Sequence, residues 1–184
     1  EHMLKVLEID PNHAYGLANY AHLLFRRGAF DDAVKIYEGI HERSHSSERI
    51  STDIYDSLCL GLALQGAERN EEARQVLETE LADFPVGGDG GNEIGRQISL
   101  LAALGRNREA MSLAREIEAS DSTSAHQFFL LAEAYALIGE TDAALTALER
   151  AFETGYQDPY YILVNPPFGS LQGDPVIDRL APVQ

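Results

Sequence analysis

His41 and His45 stand four residues apart, the spacing that brings two imidazoles to one helical face and makes half of a metal site. No carboxylate or third ligand follows at a telling distance, so the stretch HERSHS (41–46) reads as a polar linker. The run GGDGG (87–91) has the glycine content of a phosphate loop, yet neither Lys-Ser nor Lys-Thr follows it and no strand pattern precedes it. It reads as a flexible connection. Cys59 is the single cysteine and lies within LCLGLAL, where a small apolar core residue is expected rather than a nucleophile. Ser57, Ser99 and the six histidines form no recognisable nucleophile motif. Carboxylates are abundant, but nothing marks out an acid and a base held in contrasting environments. The expectation is a protein without catalytic residues, metal or cofactor.

Composition narrows the classes further. The 184 residues are 45% apolar and 24% charged, the mix of a folded globular chain. No apolar run approaches the length of a membrane helix, and no secretory signal pattern occurs. One cysteine permits a reducing compartment, and the cytoplasm is the expected one. The formal net charge is −16, with two lysines, Lys5 and Lys35. Such a surface repels phosphate backbones and anionic lipid, so neither nucleic acid nor membrane is expected as a partner. The acidity serves either solubility or the steering of a basic partner.

The elements that would position any site come from a repeat. GAFDDAVKIYEGI (28–40), ERNEEARQVLETE (68–80), GRNREAMSLAREI (105–117) and GETDAALTALERA (139–151) are variants of one phrase, each preceded by an apolar helical segment. Ala33, Ala73, Ala110 and Ala144 mark the same place in each, at successive separations of 40, 37 and 34 residues. Gly28, Gly105 and Gly139 follow the apolar runs, where a left-handed residue ends a helix cheaply; Glu68 stands in the fourth such place. Asp31, Asp32, Glu71, Glu72, Glu109 and Asp142 fall in the first turn of the next helix, whose positive end favours carboxylates. Ala33, Tyr37 and Ile40 share one face, as do Ala144, Leu148 and Ala151. A recurrent alanine implies helices crossing closely at that point.

The pattern resembles the tetratricopeptide repeat, a two-helix unit of 34 residues. The last spacing fits directly, and the longer ones place insertions at HERSHS and at the VGGDGG region (86–91). Pro11 and Pro85 match the family's terminal proline, while Ser122 and His45 replace it elsewhere and the family's tryptophan is absent throughout. The resemblance implies an all-α, right-handed superhelix of about four helical hairpins. Its divisions are the end of a preceding repeat (1–11), repeats at 12–47, 48–87, 88–121 and 122–155, and an irregular capping tail (156–184). It also implies a concave groove lined by first helices, binding a peptide or protein partner; the alternatives are self-association within a larger assembly and a small-molecule-sensing or enzymatic role of the groove, which His22, His126 and Glu133 would serve. Carried over position by position, the lining comprises Tyr15, Ala18, Asn19, His22 and Phe25, then Tyr55, Leu58 and Leu62. Asn92, Arg96 and Ser99 follow, then His126, Phe129 and Glu133. Leu58, Leu62 and Phe129 fit inter-repeat packing equally well, leaving Tyr15, Asn19, His22, Arg96, His126 and Glu133 as the candidate contacts. The carboxylate clamp of the chaperone-tail-binding subgroup is not expected, because Ala18 and His22 occupy its first-unit places and Arg96 alone matches.

The two ends differ from the middle. The partial helix over Met3–Ile9 carries Leu4, Val6 and Leu7, an apolar face that a preceding array segment or a second copy of the chain would cover, so a homodimer through this helix is a further expectation. After Gly155 five prolines exclude a long helix. Short helices are expected at 160–164 and 175–180, the latter capped by Asp174 with Pro175 in its first turn. Their aromatic and aliphatic side chains would close the last repeat, as solenoids require. Tails of this kind resemble those of tetratricopeptide arrays in bacterial multidomain proteins.

Overall fold

The computed structural model describes residues 2–45, 55–83, 91–120 and 123–182, and all regular structure among them is helical. Two compact units divide the chain, Glu1–Leu77 and Glu78–Gln184. The first contains α1 (His2–Ile9), α2 (Ala14–Arg26), α3 (Phe30–His45) and α4 (Tyr55–Gly66); α5 (Asn70–Ala82) runs across the division. The second contains α6 (Gly91–Ala103), α7 (Asn107–Glu118), α8 (Ala125–Ile138) and α9 (Thr141–Glu153). It ends in α10 (Pro159–Val164), a 3₁₀ turn (Pro166–Leu171) and α11 (Pro175–Leu180).

The repeated phrase is a repeated turn. Gly28, Glu68, Gly105, Gly139 and Gly155 all have positive φ, between 61° and 106°. The next residue in each case sends its N–H back five positions: Ala29 to Leu24, Arg69 to Leu64, Arg106 to Leu101, Glu140 to Tyr135 and Tyr156 to Ala151, at 2.8–3.0 Å. This is the Schellman closure, which satisfies carbonyls that the helix end would otherwise orphan. In the first four turns the same residue opens the following helix. The carbonyls of Ala29, Arg69, Arg106 and Glu140 accept from the N–H groups of Ala33, Ala73, Ala110 and Ala144. The recurrent alanine therefore stands a fixed step beyond its turn, and all four are fully buried. A methyl is what the space admits.

Each unit has its own core. In the first, Ala33, Val34, Tyr37 and Ile40 of α3 face Ala21 of α2 and Cys59, Leu60, Ala63 and Leu64 of α4. Close approach is literal at Gly61, where an added Cβ would lie 2.6 Å from the Leu77 side chain. Cys59, 1% exposed, is a core residue as expected. In the second unit α8 packs on α6 and α9, and Gly95 admits Leu130, which an added Cβ would meet at 2.5 Å.

The tail covers the last hairpin. The 3₁₀ turn packs on α8 and α11 on α9, burying Ile162, Phe168, Leu171 and Ile177. Asp174 accepts from the Val176 N–H at 2.8 Å with Pro175 in the first turn, as its sequence implies. The intervening 3₁₀ turn was not legible in advance. One boundary differs from expectation: HERSHS does not open a linker, because α3 continues through His45. No proline stands there to end the helix, so its backbone hydrogen bonds run on. The rest of the VGGDGG connection, and Pro85 and Ser122, lie outside the described residues.

Candidate functional site

The six candidate contacts fall into two sets, one in each unit. In the first unit, His13 caps α2, its Nδ1 accepting from the Gly16 N–H at 3.1 Å. This fixes the start of α2, and Gly16 keeps room beside it for Leu7 of α1. Tyr15 follows the cap and is 68% exposed, with its ring 6.4 Å from that of His13. Asn19, one turn along the same face, is half-buried.

His22 does not continue that surface. It is 4% exposed, its Nε2 lies 3.6 Å from Cys59 Sγ on α4, and its ring is 5.8 Å from Tyr37 on α3. Burial pushes its pKa down to about 4, so the imidazole is neutral at pH 7. The expected open position is thus a core position, because α3 and α4 both close over this turn of α2.

In the second unit Arg96 follows Gly95 on α6 and is half-buried. The Gly95–Leu130 approach sets α6 against α8, on which His126, Phe129 and Glu133 recur at intervals of three and four and share one face. His126 is half-buried, its ring nearly parallel to Phe129 at 6.4 Å. Phe129 itself is fully buried, stacked on Tyr156 at 4.4 Å and met edge-on by Phe168 at 5.3 Å. Burial first, then the charges of Asp158 and Glu133, raise the Tyr156 phenol above its ordinary pKa.

Glu133 is a second correction. It has no exposed surface, and its Oε1 accepts from Asn165 Nδ2. The tail folds over this end of the α8 face, turning an expected contact into a buried polar pair. Asn165, 1% exposed, was not anticipated. The available signal was Glu133 itself, a carboxylate within FFLLAEAYALI that burial obliges to find a donor. Leu58, Leu62 and Phe129, which fitted packing equally well, are all buried. The side chains of Tyr55, Asn92 and His45 lie outside the described residues.

Two polar pairs invite a catalytic reading. His22 and Cys59 meet within the first core, as described. Ser57 Oγ lies 3.3 Å from His41 Nδ1, but Ser57 is 3% exposed and a nucleophile needs open space for the carbonyl it attacks. Among the described residues no group of three His, Cys, Asp or Glu side chains could hold a metal ion, and no helix is long and apolar enough to cross a membrane. Comparison of the chain with protein-family models, curated proteins and solved structures finds no match. The geometry therefore stands alone: Tyr15 and Asn19 present a surface on α2, and Arg96 and His126 a partly covered one on α6 and α8.

Proposed function

We propose that the protein is a non-catalytic binding module of tetratricopeptide type, which holds a peptide or protein partner against the faces of its first helices. The observation that carries this reading is Tyr15, a large aromatic side chain left 68% exposed on a helix whose start is capped and whose neighbours are packed. Five closures of one turn geometry, and four fully buried alanines at one step from it, support the repeat assignment. A right-handed superhelix is the arrangement this assignment implies. The mechanism is preorganisation: helices already fixed by their turns lose little entropy on binding, so a few aromatic and charged contacts suffice. Asn19, Arg96 and His126 supply polar discrimination, and the overall acidity favours partners carrying basic residues.

The test begins with peptides selected from a random library on the immobilised full chain. Tyr15→Ala and Arg96→Ala should each weaken the selected peptide at least tenfold, about 1.4 kcal/mol, with an unchanged melting midpoint. Affinity indifferent to both substitutions would remove these helix faces as the binding surface.

A second reading, self-association through α1, rests on Ile9 and Val6, 86% and 37% exposed. Under that reading mass measured by light scattering rises with concentration and Ile9→Glu abolishes the rise. A constant monomer mass excludes it.

A further inference from the structure

Within the second unit, α7, α8 and α9 line an open cleft of about 300 Å³ that none of the six candidate contacts touches. Its floor is Phe128, with Ala143 and Ala147 of α9 one turn apart beside it. Arg150 lies over the Phe128 ring, its guanidinium carbon 4.1 Å from the centroid. A guanidinium over an aromatic ring engages it through its charge and keeps N–H donors for a further partner, and its fork suits bidentate capture of a carboxylate. Unlike Arg69, Arg74, Arg106 and Arg179, Arg150 has no carboxylate partner among the described residues. Opposite charge stands on α7 and at the far end of α9. Glu118 is held by the Tyr135 hydroxyl, which donates to its Oε1 at 2.9 Å, and Asp142 stands in the first turn of α9.

We propose that this cleft is a binding site for a small zwitterion whose carboxylate and ammonium are joined by a short apolar chain. Spacing sets the length. Asp142 and Arg150 are eight residues apart on one helix, about 12 Å along its axis at 1.5 Å per residue. Helical side chains lean toward the helix N-terminus, and the longer Arg150 side chain reaches back further than that of Asp142, so the two charges stand closer than the axial rise but still well apart. An ω-amino carboxylate spans such a gap, whereas the adjacent charges of an α-amino acid do not. The carboxylate meets Arg150, the ammonium meets Glu118 and Asp142, and the methylenes lie on Phe128, Ala143 and Ala147. The volume, at the small end of ligand pockets, suits a molecule of this size. The cleft shares no lining residue with the contacts assigned to a protein partner.

Titration of the full chain with 5-aminopentanoate, followed by the amide resonances of Ala143, Thr146 and Ala147, tests this. Saturable shifts should appear, and pentanoate, pentylamine and L-norvaline should each bind at least tenfold more weakly. Arg150→Gln should erase the advantage over pentylamine, and Glu118→Gln the advantage over pentanoate, in variants with wild-type melting midpoints. If a variant melts early, the ligand series on the wild-type chain decides alone. Pentylamine binding as tightly as 5-aminopentanoate would leave only an acidic surface, and the absence of saturable shifts would leave no site; either result overturns the proposal.

Discussion

Glu68 should be replaceable by glycine with a gain in stability. It holds φ at 61°, a conformation its sister turns give to Gly28, Gly105 and Gly139. An L-residue there costs roughly 1–2 kcal/mol from the clash of Cβ with the backbone. The exposed Glu68 side chain loses no core packing on removal. Glycine also widens the unfolded ensemble, which returns about 0.4–1 kcal/mol of the gain. The net is roughly 0.5–1 kcal/mol in favour of Glu68→Gly. Removal of a carboxylate just past the end of α4 adds a few tenths at low salt, because that end of the helix carries negative partial charge. For a chain of this length the shift in Tm is about 1–4 °C.

Three variants separate these contributions in urea titrations followed by circular dichroism. Glu68→Ala removes the charge and keeps the Cβ, so it should recover only the electrostatic part. Gly105→Ala runs the backbone effect in reverse: φ is 71° and an added Cβ meets nothing within 4 Å, so the loss of roughly 0.5–1 kcal/mol is conformational. High salt should erase the Glu68→Ala gain and spare the rest of the Glu68→Gly gain. If Glu68→Ala stabilises as much as Glu68→Gly, charge and not φ governs the turn. If Glu68→Gly is neutral or destabilising, the equivalence of the four turns is wrong in energy even though it holds in hydrogen bonding.

Asn165→Leu should destabilise the second unit by about 1–3 kcal/mol, since it removes a hydrogen-bond donor from the buried Glu133 carboxylate, while Glu133→Leu with Asn165→Leu should regain part of the loss in a double-mutant cycle. His22 contributes an acid-sensitive component: its folded pKa of about 4 lies below the unfolded value of 6.5, so the unfolded chain takes the proton first. The stability it confers is complete above pH 6.5 and falls as pH drops toward 4, by roughly 3 kcal/mol in all, and His22→Leu should flatten that limb of a pH series of melts. Gly39→Ala, mid-helix with nothing within 4 Å of the new methyl, should gain about 0.5–1 kcal/mol. Gly95→Ala has the same propensity benefit but drives a methyl against Leu130, so equal gains at the two positions would refute the close α6–α8 crossing.

What could be read in advance follows the range of the interactions involved. A Schellman turn is settled within six residues, so glycines, first-turn acids and a buried alanine a fixed step later announce it without knowledge of the rest of the chain. The tail helices were legible for the same reason, since Asp174 and Pro175 act on the residues beside them. Which polar side chain on an apolar helix remains in water is a different question, decided by whatever packs from elsewhere. In α8 the run from Phe128 to Ala136 is buried throughout, so periodicity could not tell Glu133 from an exposed position. The answer lay in Asn165, 32 residues onward, beside prolines that mark only where helix stops. His22 was obscured likewise, its surroundings being set by Tyr37 and Cys59 on two later helices. Both misplaced residues are polar groups on α2 and α8 that later elements cover, whereas Tyr15 and Asn19 sit near the start of α2. Burial of a polar side chain on these helices is thus governed by elements that come later in the chain. A surface inferred from one unit's pattern is therefore most secure where no later element comes to lie.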